Sequence, residues 1–175
     1  MSTLQVQTLQ GPTSGADSNT IRVADNHKLY AKGHVVQVQT YHVGEVAGSI
    51  GTTSTSFQNS GVAVNITPQF SNSLIVCDFV ASMSYISPTQ TGNLLTRLLL
   101  NNAYYGGSYT TGYLRGLDLN FGNYSPTTFK TIHPNLAAGT PVEFNLQFKS
   151  DLNGQAVYLA NNNSSITMTL TEIAQ

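Results

Sequence analysis

Charged side chains are scarce in this chain: 7 Lys and Arg and 8 Asp and Glu make up 9% of 175 residues, against roughly 25% in an average globular domain. The cations are scattered from Arg22 to Lys149 and form no patch, so the chain lacks the footprint needed to bind nucleic acid or an anionic membrane surface by phosphate neutralisation. Cysteine is nearly absent. Cys77 stands alone, which excludes an internal disulfide and the class of small disulfide-stapled scaffolds. It reads as a small buried hydrophobe on a strand. There is no apolar run of about 18 residues and no basic segment leading into an apolar one near the N-terminus. The expectation is a protein made in the cytoplasm, without a cleaved export signal and without membrane insertion.

What is abundant is neutral polarity. Thr 21, Ser 17, Asn 16 and Gln 11 account for 65 of the 175 residues. Hydrophobic residues make up 40% and the net charge is −1, which favours a packed core over disorder. Length allows one domain of ordinary size with a short appendage. Secreted, glycan-facing and virion-surface proteins suit such an uncharged polar surface.

The chain divides by pattern into residues 1–34 and residues 35–175. The first part holds short alternations, Leu4-x-Val6 and Ile21-x-Val23, cut by Gly11-Pro12-Thr13-Ser14-Gly15. Pieces this short cannot enclose a core, and isolated hairpins are marginal in water. From Val35 onward the apolar period is two, with regular turn punctuation, the pattern of an antiparallel sandwich or barrel. Val142 to Lys149 alternates four apolar with four polar residues, and Ile166, Met168 and Leu170 alternate with Thr167, Thr169 and Thr171. A third stripe runs over Tyr113, Leu117, Leu119 and Phe121, broken by Arg115. In the stretch from Leu74 to Met83 both faces are largely apolar, which predicts a central strand covered on both sides. With further strands near 35–43, 62–67, 94–101, 127–132 and 156–160, about nine are expected, with almost no helix.

Several segments resemble a known family. Leu4-Gln5-Val6-Gln7-Thr8-Leu9-Gln10-Gly11-Pro12, then Asn19-Thr20-Ile21-Arg22-Val23, then His27 to Val38, are similar to the opening of short fibre-like structural proteins of tailed bacteriophages, especially cyanophages. Val64-Asn65-Ile66-Thr67-Pro68 with Ser71-Asn72-Ser73-Leu74-Ile75-Val76, the Leu95 to Leu98 stretch, and Ser164 to Ile173 also resemble that family. The resemblance implies an all-β homotrimer in the virion. Its residues 2–33 would interweave and dock on a tail, baseplate or capsid protein. Its C-terminal part would be an antiparallel, jelly-roll-like β-sandwich. The expected role is a tail fibre that attaches to host-surface carbohydrate, the alternative being a capsid decoration, cement or head-fibre protein. Closed threefold packing would let each short N-terminal strand bury a face that it cannot bury alone.

Candidate chemistry points to binding rather than catalysis. Glycan hydrolysis usually needs two carboxylates roughly 5–10 Å apart, and the acids here are scattered, Asp78 and Asp118 being the pair that could meet. No Gly-x-Ser-x-Gly elbow supports a Ser-His-Asp triad. The chain is therefore expected to be a non-enzyme with no cofactor and no metal. A three-His site on a trimer axis, from His27 or His34, is the weaker metal reading. The richest stretch is Tyr104-Tyr105-Gly106-Gly107-Ser108-Tyr109-Thr110-Thr111-Gly112-Tyr113, in which flat rings could stack on sugars while hydroxyls and amides bond to them. With Asn120, Asn123 and Tyr124, and with Asn101 and Asn102 nearby in sequence, these tyrosines form the candidate glycan site. The same loop could instead pack its rings on its own sandwich or on a neighbouring subunit. Glu172 falls on the apolar parity of β-periodic residues 166–170, so either the last strand frays into solvent or a partner takes up the carboxylate.

Overall fold

The structure, a computed structural model, describes residues 14, 31–44, 49–86, 94–101, 103–104, 114–115, 124–160 and 164–175; for 82–86, 103–104, 114–115 and 124–129 the description is of the backbone. The chain forms two units, residues 1–31 and residues 32–175. Apart from Ser14 and Ala31, the first unit lies outside the described residues.

The second unit is all β. Its strands are β1 (Val35–Val43), β2 (Ile50–Thr52), β3 (Gln58–Ile66), β4 (Leu74–Ile86), β5 (Leu94–Leu100), β6 (Ala103–Tyr104), β7 (Leu114–Arg115), β8 (Tyr124–Pro134), β9 (Val142–Ser150), β10 (Ala156–Ala160) and β11 (Ile166–Ile173). Every pairing between them is antiparallel. β2 and β6 are additions to the nine strands that the pattern predicts. Both are too short to show a period.

Two sheets result. In the first, β4 is flanked on one edge by β8 and on the other by β11 and then β10, with β1 beyond β11 and β2 beyond β10. The register requires this arrangement, since Leu74 to Ala81 pair with β11 and β8 at once, and Ser84 pairs with both Tyr124 and Tyr158. In the second sheet β9 lies between β3 and β5, and β6 and β7 add short ladders to the far edge of β5. The inner faces close over one core, to which Phe79 and Met168 contribute from the first sheet and Phe144 and Leu146 from the second. Each such side chain contributes about 1.5–3 kcal/mol by leaving water. The His133 and Phe144 rings meet in a T-shaped contact across the sandwich, with centroids 4.9 Å apart.

Local chemistry fixes the turns. Asn72 and Asn135 take left-handed φ values of 68° and 62°, a conformation that Asn tolerates in turns. At Gly61, φ is 76° and the β3–β9 register shifts between Asn59 and Ala63, a bulge that glycine accommodates. The Ser60 hydroxyl closes it, donating to the Leu146 carbonyl at 2.6 Å and accepting the Val62 N–H at 3.0 Å.

Two expectations are corrected. β11 does not fray: it pairs with β1 and β4 as far as Ile173, and Glu172 is fully buried. Its carboxylate accepts the backbone N–H groups of Gln69 at 2.8 and 3.0 Å and of Phe70 at 3.1 Å, the Ser73 hydroxyl at 2.7 Å and Gln37 Nε2 at 2.7 Å. These donors all belong to the same chain. The second correction concerns β4. It is central in its sheet, but only its Ile75, Cys77, Phe79 and Ala81 face is buried; Val80 on the opposite face is exposed, and Leu74, Val76 and Asp78 are half-buried.

Candidate functional site

That open side of β4 belongs to the broad outer face of the first sheet, whose composition follows from register. Counting from the end where Lys32 begins the unit, one cross-strand row is Val35, Ile173, Leu74 and Pro134. Next come Val38, Thr171, Val76 and Ile132, then Thr40, Thr169, Asp78 and Lys130, then His42, Thr167, Val80 and Thr128. Among the described residues the exposed large hydrophobics are Val35 (54%), Val38 (52%), Val80 (45%) and Ile132 (56%), and all of them fall in these rows. Scattered exposed hydrophobics are ordinary, but the first two rows gather Val35, Val38 and Ile132 with the half-buried Ile173, Leu74 and Val76 into an apolar band, the kind of patch that suits a contact surface; Val80 stands apart, beyond the polar Thr40 row.

Polar residues on this face are mostly tied to one another. His42 Nδ1 lies 2.8 Å from the Thr167 hydroxyl, and the Thr40 and Thr169 hydroxyls are 3.5 Å apart. Lys130 Nζ lies 3.2 Å from Asp78 Oδ1, so the face carries its charges as a matched pair. Asp78 is thus a paired strand residue, while Asp118 lies outside the described residues.

Behind the face, burial silences two reactive groups. Cys77 lies in β4 with its thiol pushed up to about 12, by burial first, with Asp78 adding to it against a hydrogen bond from Thr131; it is a protonated, inert thiol at neutral pH. His133, whose Nε2 lies 2.7 Å from the Thr131 hydroxyl, is lowered to about 4 by burial and is neutral. His34 precedes β1, and its carbonyl accepts the Ala174 N–H at 3.0 Å. His27 lies outside the described residues.

Of the tyrosine-rich candidate site, Tyr104 is in β6 opposite Leu99 and Tyr124 opens β8 opposite Ser84, so the two belong to different sheets. Tyr105, Tyr109, Tyr113, Asn120, Asn123 and Asn102 lie outside the described residues. The stretch is tethered at both flanks to one strand, since Leu114 pairs with Thr96 and Tyr104 with Leu99. Asn101 serves its turn: Oδ1 accepts the Glu143 N–H at 2.8 Å, and its own N–H donates to the Glu143 carbonyl at 2.9 Å.

Beyond the Val80 row, Gly51, Tyr158, Ser84 and Tyr124 stand in a further cross-strand row. Tyr158 was not singled out from the sequence. Its partner strand β2 has three residues and gives no periodic signal by which the register could be foreseen.

No family model matches this chain, and no curated protein matches it. Among solved structures, it is similar to dimeric latent PorU from Porphyromonas gingivalis, with a TM-score of 0.47 and 10% identity over 89% of this chain. The chain spans 15% of the length of that protein.

Proposed function

We propose that this chain is a homotrimeric structural protein of a tailed-phage virion, a tail fibre whose sandwich attaches to carbohydrate on the host surface. The observation that carries the reading is the outer face of the first sheet: an apolar band framed by threonines, with one self-compensated Asp78–Lys130 pair. Such a face suits assembly with further copies of the same charge-poor chain. Strand order supports reading the sandwich as a jelly roll, because β1-β11-β4-β8 faces β3-β9-β5-β7, the order in which two Greek keys roll up. The resemblance of residues 4–38 to phage fibre openings supplies the virion.

Gold-labelled antibody against residues 32–175, applied to intact particles, tests the reading. Label at the tail is the expected result. Label on the shell would replace the tail fibre by a capsid decoration protein, and particles without label would remove the virion role.

A further inference from the structure

An open groove of about 420 Å³ lies where β2 meets β10, lined by Ser49, Gly51, Thr52, Thr53, Ala156 and Tyr158. It opens beyond the Val80 row, at the end of the first sheet away from Leu74. Leu74 and Ser84 mark the two ends on β4, ten residues apart, or about 33 Å at about 3.3 Å per residue.

The groove is built around a ring fixed in advance. Tyr158 stands opposite Gly51 in the ladder, and a Cβ on residue 51 would fall 2.5 Å from the ring's Cδ1 and 2.6 Å from Cε1. The ring therefore lies over the bare glycine backbone, as aromatic residues do when they cover a strand glycine. Little rotamer freedom is left to lose on binding, which lowers the entropic cost of holding a ligand. Around the ring are hydroxyls. Ser49 and Thr53, which share the parity of Gly51, are exposed, whereas Thr52 pairs with the buried Val157 and belongs to the other face. Among the described residues the lining contains no Lys, Arg, His, Asp or Glu, so none of these compensates a phosphate, sulfate or carboxylate.

We propose that this groove binds one unit of a neutral saccharide, whose apolar face stacks on Tyr158 while its hydroxyls exchange hydrogen bonds with Thr53 and Ser49. The assignment rests on the attachment reading and gives it a second contact point, separate from the Tyr104 to Tyr113 stretch.

Affinity electrophoresis of the full-length protein tests this, in gels containing neutral dextran, mannan or galactan and in gels containing anionic dextran sulfate. The expected result is retardation by at least one neutral polymer, weakened at least about tenfold by Tyr158→Ala, as loss of a stacked ring does, and kept by Tyr158→Phe. Thr53→Val, at an exposed position, should weaken retardation several-fold with an unchanged thermal midpoint, and so covers the case in which Tyr158→Ala fails to fold. Retardation by dextran sulfate alone overturns the neutral-sugar assignment. Retardation by a neutral polymer that survives both Tyr158→Ala and Thr53→Val, but is lost in Tyr105→Ala/Tyr109→Ala, overturns the groove and leaves the attachment reading standing. No retardation in any gel, together with no competition for phage adsorption to host cells, overturns both.

Discussion

Among the described residues, His133 and Glu172 are the ionisable residues, besides Cys77, that the fold takes out of water, and they are accommodated in opposite ways. Glu172 is given donors: two backbone N–H groups, a hydroxyl and an amide surround its carboxylate. His133 stays neutral instead, its ring in T-shaped contact with Phe144 and its basicity lowered to about 4 by burial. The consequence for stability has a definite sign. An unfolded chain takes up a proton on this histidine near pH 6.5, whereas the folded one resists until about 4. Between those values the unfolded state binds more protons, so folding stability falls as pH drops through that window and levels off below it. The loss is on the order of 3 kcal/mol. Urea unfolding at several pH values between 7 and 4 should show this fall in the native chain and a much flatter profile in His133→Phe, which keeps a flat ring against Phe144 but cannot titrate. Equal slopes in the two proteins would mean that other groups govern acid stability.

At the scale of elements, the Glu172 carboxylate ties the turn between β3 and β4 to the C-terminal end of β11. Residues 69–73 have no ladder of their own, so the carboxylate takes the place of backbone partners. Glu172→Ala leaves the Gln69 and Phe70 N–H groups and the Ser73 hydroxyl facing a cavity, and each orphaned donor costs about 1–3 kcal/mol. A destabilisation of at least about 3 kcal/mol is expected, read as a lower urea midpoint with an unchanged slope. Glu172→Gln, which keeps one acceptor oxygen, should lie between that variant and the native chain. The sequence shows the parity that puts Glu172 inside, because a strand alternates without exception unless a bulge intervenes. It does not show the donors, which lie about a hundred residues away and are brought there only by β11 pairing with β4. The same limit explains what else was and was not legible. β9, β11, β1 and β10 can be read from alternation alone. β2 and β6 are too short for any period. In β4 the apolar residues on both faces suggest cover on both sides, but the fold of this chain buries only the Ile75, Cys77, Phe79 and Ala81 face. The tyrosine stretch was visible by composition, yet Tyr158 was not, since its importance comes from standing opposite Gly51 in a register set by the fold.

For the whole molecule the question is what covers the outer face of the first sheet. Val35, Val38, Val80 and Ile132 are each about half exposed, so removing the remainder from water is worth on the order of 1 kcal/mol apiece, or roughly 4 kcal/mol per copy. Association itself costs about 4–15 kcal/mol. In the proposed trimer the face would therefore orient copies more than hold them, and firm assembly would need the apolar alternations of residues 2–33 to add their burial. Light scattering separates the two contributions. The full chain, 18.8 kDa, should have three times that mass and keep it on dilution. A fragment of residues 32–175 should retain its β circular dichroism but fall to the mass of a single copy at micromolar concentration. Ile132→Asp in the full chain sets a charge on the β8 edge of the face, where a neighbouring copy would have to desolvate it, and should weaken the proposed trimer at least about tenfold. A fragment that stays trimeric would move the whole of the assembly energy to the sheet face. A full chain that is monomeric at every concentration would leave the face to another partner and remove the threefold reading.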